Sequence, residues 1–439
     1  MNDELDQILI SYKQPDFERK LGELRIAIMK AAVFEPGDPR YTQIKDIIDD
    51  VKNRGDEAVA DSTAKYDNVK LTPAQFRISK EDLKKAHNKI DKTLLKSVRQ
   101  AINNVRKYQE EIFVDNDKSC SSKTGIKYTP IKRVGICVPG AAAPLPSTVI
   151  MTAVPAQVAG VEEIVVVSPP RYKGSINPVI LAVCYELGII EVYRIGGAQA
   201  VAALAFGTKS IGKVYKIIGP GNIWVQFAKR EVFGMLVDID SIAGPSEVLI
   251  IANDTANPAW VAADMLSQAE HAPGSATVFT DSKMLAEKVL AELKKQVGTL
   301  TRKKATVECL KEFSFIALFE NMEQVIAAAN DFASEHLQIQ CGEDSRKIAD
   351  KIKNAGAIFI GDYSPVAVGD YWAGPSHTLP TGMTAKFFSG LTANDFIKST
   401  SIIEYDKEKL AKCAEDIIRL AEAEGLDAHA KSIKIRQER

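Results

Sequence analysis

The chain has 439 residues, 46% hydrophobic and 26% charged, with 27 glycines and 19 prolines; it is too long for one core, so two or three domains are expected. Its 56 Lys and Arg nearly cancel its 57 Asp and Glu, which argues against a nucleic-acid or membrane-surface partner and for a small molecule. No apolar run approaches the roughly 18 residues of a membrane span, and the acidic N-terminus lacks the apolar stretch of a secretory signal.

Six cysteines (Cys120, Cys137, Cys184, Cys309, Cys341, Cys413) are scattered without a C-x-x-C pair. That spacing fits reduced thiols and a cytoplasmic location.

The first hundred residues read as helical. Ile44, Ile47, Ile48 and Val51 follow helical spacing, and Gly55 is a natural stop. A charged, Ser-rich connection is expected near Asp115–Thr124. From Arg133 the pattern becomes strand–helix alternation: strands at Val134–Val138, Glu163–Val167, Ile190–Ile195 and Val214–Ile218, with helices after Ser147, at Asn177–Leu187, after Gly196-Gly197 and after Gly219-Pro220-Gly221-Asn222. A second series has strands at Val248–Ala252, Ala276–Thr280, Phe315–Phe319, Leu337–Cys341 and Ala357–Ile360. Between them lie helices at Pro258–Glu270, Lys283–Val297, Met322–Ser334 and Ser345–Asn354. After about Leu391 the chain turns polar and helical.

The expected fold class is therefore α/β: two Rossmann-like, doubly wound domains with an N-terminal helical segment (1–33) and a small C-terminal helical tail (392–439). The first α/β domain is expected to be discontinuous, over 34–136 and 247–391, and the second to span 137–246. A cleft between two such units is a usual ligand site.

Five histidines are present. His87 lies in a Lys-rich helix and reads as a surface residue. Gln268 and His271 are three apart on a helix end, suited either to hold a borderline metal or to cap carbonyls. Glu335-His336 sits at a helix–strand junction and offers two proton acceptors of different basicity, or an ordinary polar turn. Asp370 and His377 fall in a loop of glycines and proline. Glu424 and His429 end a polar helix. No G-x-G-x-x-G is present, but Gly196-Gly197-Ala198-Gln199 and Gly219-Pro220-Gly221-Asn222 both lead from strand to helix, where free amides can hold phosphate or simply make a tight turn.

Together these segments resemble histidinol dehydrogenase over nearly the whole chain. The resemblance is carried by Ile195–Ala200, Ala203–Thr208, Ile218–Asn222, Ile242–Glu247, Leu266–His271, Glu335–Leu337, Gly374–Thr381 and Glu424–His429, in order and at suitable spacing. It implies a two-step oxidation of L-histidinol through L-histidinal to L-histidine with two NAD, late in histidine biosynthesis. It implies one zinc ion per subunit held by Gln268, His271, Asp370 and His429, the same residues also facing substrate.

His336 is then the base for alcohol oxidation, and Glu335 activates water for the aldehyde step. Ser246, His377 and Glu424, with His336, contact substrate. Gln199 and Asn222 contact NAD, as does the position of Cys137. Many relatives carry Tyr where Cys137 stands, glycine where Ala141 stands, and glycine where Ala272 stands. The resemblance also implies a homodimer whose C-terminal segments complete each other's sites. The alternatives are a related zinc/NAD dehydrogenase of another small polar alcohol, such as a sulfonated diol, and a zinc hydrolase using Glu335. Glu424 favours a cationic amino alcohol over the diol.

Overall fold

A computed structural model of the chain describes residues 3–32, 37–114, 124–140, 144–271 and 274–438. The expected connection from Asp115, together with Cys120, Ala141 and Ala272, lies outside them. The chain divides into two compact units, Met1–Phe113 with Ile131–Phe396, and Val114–Pro130 with Ile397–Arg439.

In chain order the described strands are β1 (Leu9–Ser11), β2 (Thr124–Pro130), β3 (Arg133–Cys137), β4 (Glu163–Val167), β5 (Glu191–Tyr193), β6 (Lys216–Ile218), β7 (Asp238–Ile239), β8 (Ser246–Ala252), β9 (Gly274–Thr280), β10 (Ile316–Leu318), β11 (His336–Gln340), β12 (Ala357–Ile360) and β13 (Ile397–Ile403). The large unit holds two parallel sheets, ordered β5-β4-β3-β6-β7 and β1-β10-β9-β8-β11-β12. The central strands β8 and β9 are buried almost throughout, because helices cover both faces; hence their near-continuous apolar runs. Val248, Ile250 and Val278 point into one apolar cluster, while Leu249, Ile251 and Phe279 point into another on the opposite face.

Helix starts are set by short polar caps ahead of proline. Asp38, Asn177 and Asn257 each accept a hydrogen bond from a first-turn amide, with proline inside that turn; the missing proline N–H costs nothing there. Ile44, Ile47, Ile48 and Val51 are buried along Pro39–Arg54, which ends at Gly55.

Three expectations differ from the observed packing. Residues 39–67 bury Ile44, Ile48, Ala58 and Val59 with Val201 and Leu204 of the five-stranded half, not against residues 247–391. β3, at the centre of that same sheet, crosses the expected boundary at 136/137. The N-terminal segment also supplies β1, paired with β10.

The second unit is not wholly helical. β13 pairs antiparallel with β2, from Ile397 opposite Pro130 to Ile403 opposite Thr124. Helices Lys407–Ala423 and Asp427–Lys434 follow. Among the described residues, no helix is long and apolar enough to cross a membrane.

Candidate active site

The helix Met322–Phe332 ends at Ala333, whose φ of 49° is left-handed. An alanine there costs about 1 kcal/mol or more, and the turn it makes delivers Glu335 and His336 to the start of β11. Both side chains are buried. β8 runs beside β11 with Val248 opposite His336, so Ser246 and Glu247 lie at the same edge.

Glu335 Oε2 accepts from the Ser246 hydroxyl at 2.7 Å and from the Glu247 amide at 2.8 Å. His336 Nδ1 is 2.9 Å from the Glu247 carbonyl oxygen. Since a carbonyl only accepts, Nδ1 carries a proton and donates it. In the neutral ring Nε2 then holds the lone pair. Nε2 is buried without a hydrogen-bond partner and lies 3.6 Å from Asp370 Oδ1.

Burial disfavours the imidazolium of His336, but the Glu335 carboxylate, with Asp370, outweighs it and carries the group to about 9. Burial raises Glu335. It also raises Asp370, yet the adjacent His336 reverses that, and the charges of His377 and His271 pull the same way, leaving Asp370 low. Asp370 thus feels the charges of His336, His377 and His271. His377 Nε2 is 3.3 Å from the Ser147 hydroxyl, and burial lowers its basicity.

Asp370 is not in a loop but in the last turn of the short helix Val366–Tyr371. Nor do Gln268 and His271 share a helical face. The helix ends at Ala269; Gln268 is buried with its Nε2 unpartnered, and His271 is exposed beyond the cap. His87, expected at the surface, is half-buried against Glu186 at 2.6 Å.

A cavity of about 800 Å³ brings the two sheets' contributions together. Cys137, Gln199 and Asn222 line it from the carboxyl ends of the five-stranded sheet, and His271, Arg302 and Tyr371 line it from the other half. The catalytic candidates lie at the amino ends of β8 and β11, whereas the glycine turns follow the carboxyl ends of β3, β5 and β6. The usual carboxyl-end rule for open α/β sheets therefore holds for the five-stranded sheet alone.

Gly219 has φ +106°, and a Cβ there would come within 2.3 Å of the Cys137 carbonyl oxygen. A Cβ on Gly221 would meet Val225 at 2.6 Å. The turn is therefore drawn tightly onto β3.

Glu424 and His429 belong to the second unit and are exposed there. Among the described residues, no group of three or more His, Cys, Asp or Glu is close enough to hold a metal ion.

Glu247 escaped the sequence reading as a functional residue. Its signal was a carboxylate heading the apolar run Val248–Ala252. Its backbone orients both Glu335 and His336, and its Oε1 accepts from the Gly382 amide at 2.6 Å. Tyr66, Asp67, Arg171 and Trp224, which line the cavity, had no motif to mark them.

The family model described as histidinol dehydrogenase matches residues 38–437. The chain is 48% identical over 399 residues to the histidinol dehydrogenase of Rhodopirellula baltica, covering 90% of this chain and 86% of that one. It is 46% identical over 422 residues to the histidinol dehydrogenase of Bacillus subtilis, covering 95% and 98%. The crystal structure of histidinol dehydrogenase from Elizabethkingia anophelis superposes with a TM-score of 0.89 at 33% identity, covering 98% of each chain.

Proposed function

The chain belongs to the histidinol dehydrogenase family, and on that premise we propose that it carries out the NAD-dependent four-electron oxidation of L-histidinol through L-histidinal to L-histidine. The observation that carries the reading is the pair Glu335 and His336, buried and oriented by β8. It adjoins Asp370, which feels the charge of His271, and His271 lines the same cavity as Gln199 and Asn222.

The residues present suit both absent groups. The helix starts at Gly197 and Asn222, with Pro220 and Gly221 of the tight turn, line the cavity and suit a dinucleotide's phosphates, and the buried Gln199 Nε2 has no protein partner. For zinc, Gln268, His271 and Asp370 supply an amide, an imidazole and a carboxylate, a donor set of the right kind. His429 of a second copy of this chain would be the fourth, which makes a homodimer part of the proposal. Zinc, when bound, supplies a positive charge that orients and polarises the amino alcohol, and NAD supplies the hydride acceptor.

His336, in the neutral form that gains population as pH approaches its raised value near 9, takes the hydroxyl proton on Nε2 as the first hydride leaves. Its Nδ1–H stays on the Glu247 carbonyl, so the ring does not rotate as it charges. Glu335 takes a proton from the water that adds to the aldehyde, and the hydrate then gives up the second hydride. Ser246 keeps the Glu335 carboxyl in place. Glu424 supplies the anion for the substrate ammonium, and His377 lines the substrate side.

The experiment is the stoichiometry of NAD reduced per histidinol, with and without a chelator. Two per histidinol, lost on chelation and restored by zinc, is expected; one per histidinol would overturn the four-electron reading.

A further inference from the structure

Two charged residues that the mechanism does not use are buried beside the cofactor turn. Lys229 is 1% exposed and the side chain of Asp240 4%. Lys229 Nζ donates to Asp240 Oδ1 and, at 3.2 Å, to the Gly219 carbonyl oxygen. Asp240 Oδ2 accepts from the Gly219 amide at 2.7 Å, and Oδ1 also accepts from the Ser241 amide at 2.7 Å. Both polar groups of Gly219 are thus held by one ion pair. One helical turn earlier, the buried Gln226 accepts from the Ala243 amide at 2.9 Å.

A buried ion pair contributes little over apolar residues of similar size, so fold stability alone does not account for it. Its contacts do. It grips the first residue of the turn whose Pro220, Gly221 and Asn222 line the cavity. It also grips the start of the segment running to Ser246, whose hydroxyl holds Glu335.

We propose that Lys229 and Asp240 are positioning residues that aim the Gly219–Asn222 turn at the dinucleotide and fix it relative to the catalytic carboxylate. The proposal rests on the reading of that turn as the cofactor site. Gly219 can adopt many conformations by itself. The pair reduces them to one before NAD arrives, so the ordering cost does not fall on binding.

The test compares Asp240→Asn, the double replacement Lys229→Met/Asp240→Leu, and Asn222→Ala. The readouts are the NAD dissociation constant by calorimetry, KM for NAD, kcat at saturation and the thermal midpoint. The double variant removes both buried charges without leaving either one unpaired, but it takes the acceptor from the Gly219 and Ser241 amides, so its midpoint should fall. It should raise the dissociation constant and KM for NAD about tenfold, equivalent to about 1.4 kcal/mol, with kcat within about threefold, a split that a mere loss of stability would not produce. Lys229→Arg, which keeps the charge, should recover part of the loss. A double variant that binds NAD like the parent while Asn222→Ala binds it weakly would overturn the positioning role and leave the cofactor reading intact. Unchanged NAD binding in Asn222→Ala would overturn the cofactor reading and the proposal with it.

Discussion

The Nδ1–H of His336 donates to the main-chain carbonyl of Glu247 at 2.9 Å, while the Glu247 amide donates to Glu335 at 2.8 Å. One peptide unit on each side of a single β8 residue therefore orients both candidate catalytic groups. Because the contacts are backbone, substitution of Glu335 or His336 leaves the frame standing, and each can be removed separately.

His336→Asn takes away the nitrogen assigned to accept the alcohol proton and should lower alcohol oxidation by about 10²–10⁴-fold, the usual worth of a general base. Glu335→Gln should reduce aldehyde oxidation more than alcohol oxidation. Rates measured separately with histidinol and with histidinal decide the matter. Equal losses in both half-reactions for Glu335→Gln would remove the division of labour.

Glu247 gives a prediction about pH and stability. Burial, with the Glu335 carboxylate adding to it, raises its carboxyl to about 8 against the resistance of the Gly382 amide. A group raised on folding binds its proton more tightly in the native state. Its contribution is fully present below the unfolded value near 4.5 and is lost as pH rises through about 8. Glu247→Gln keeps an oxygen for Gly382 and has no proton to lose. The difference in unfolding midpoint between parent and variant should move in the variant's favour between pH 5 and 9. A difference constant over that range would show that Glu247 titrates normally.

Much of this arrangement could be read in the sequence, and the exceptions share a cause. β4 and β12 have the expected limits because each is an apolar run ended by polar or glycine residues, a local signal. β13 was missed because Ile397–Ile403 is exposed along most of its length and is a strand only through pairing with the distant β2. Residues 39–67 went to the wrong half because an amphipathic helix records which face is buried, not which sheet buries it. Within the site, Gln268, His271, Asp370 and His377 were ambiguous alone and became candidates through their joint match to one family. Lys229 and Asp240 were invisible, since nothing local distinguishes a buried ion pair from two solvated charges.

Cys137 stands at a position expected to contact NAD. It is buried in the wall of the cavity, and burial pushes its thiol up to about 12, so it should be inert. Iodoacetamide at pH 8, followed by peptide mass spectrometry, should label the partly exposed Cys413 and leave Cys137, Cys184 and Cys341 unmodified. Labelling of Cys137 at a rate matching Cys413 would contradict its burial. Cys137→Tyr should lower the NAD dissociation constant if the ring reaches into the cavity.

The second unit sets the last prediction. Glu424 and His429 are exposed there, yet one is assigned to the substrate ammonium and the other to zinc. Both roles need a less hydrated setting than a lone tail offers. A second copy of the chain supplies it in the proposal, and a two-fold dimer gives a sharp consequence. Asp370→Ala breaks the metal set from the large unit, and His429→Ala breaks it from the tail, so each variant alone should be inactive and zinc-poor. In a mixed dimer one site receives both defects and the other neither. Random reassembly of equal amounts makes half the dimers mixed, so activity should return to about a quarter of the parent's, with zinc rising in proportion. Mixtures that stay inactive although mixed dimers are seen by native mass spectrometry would mean that each tail serves its own chain.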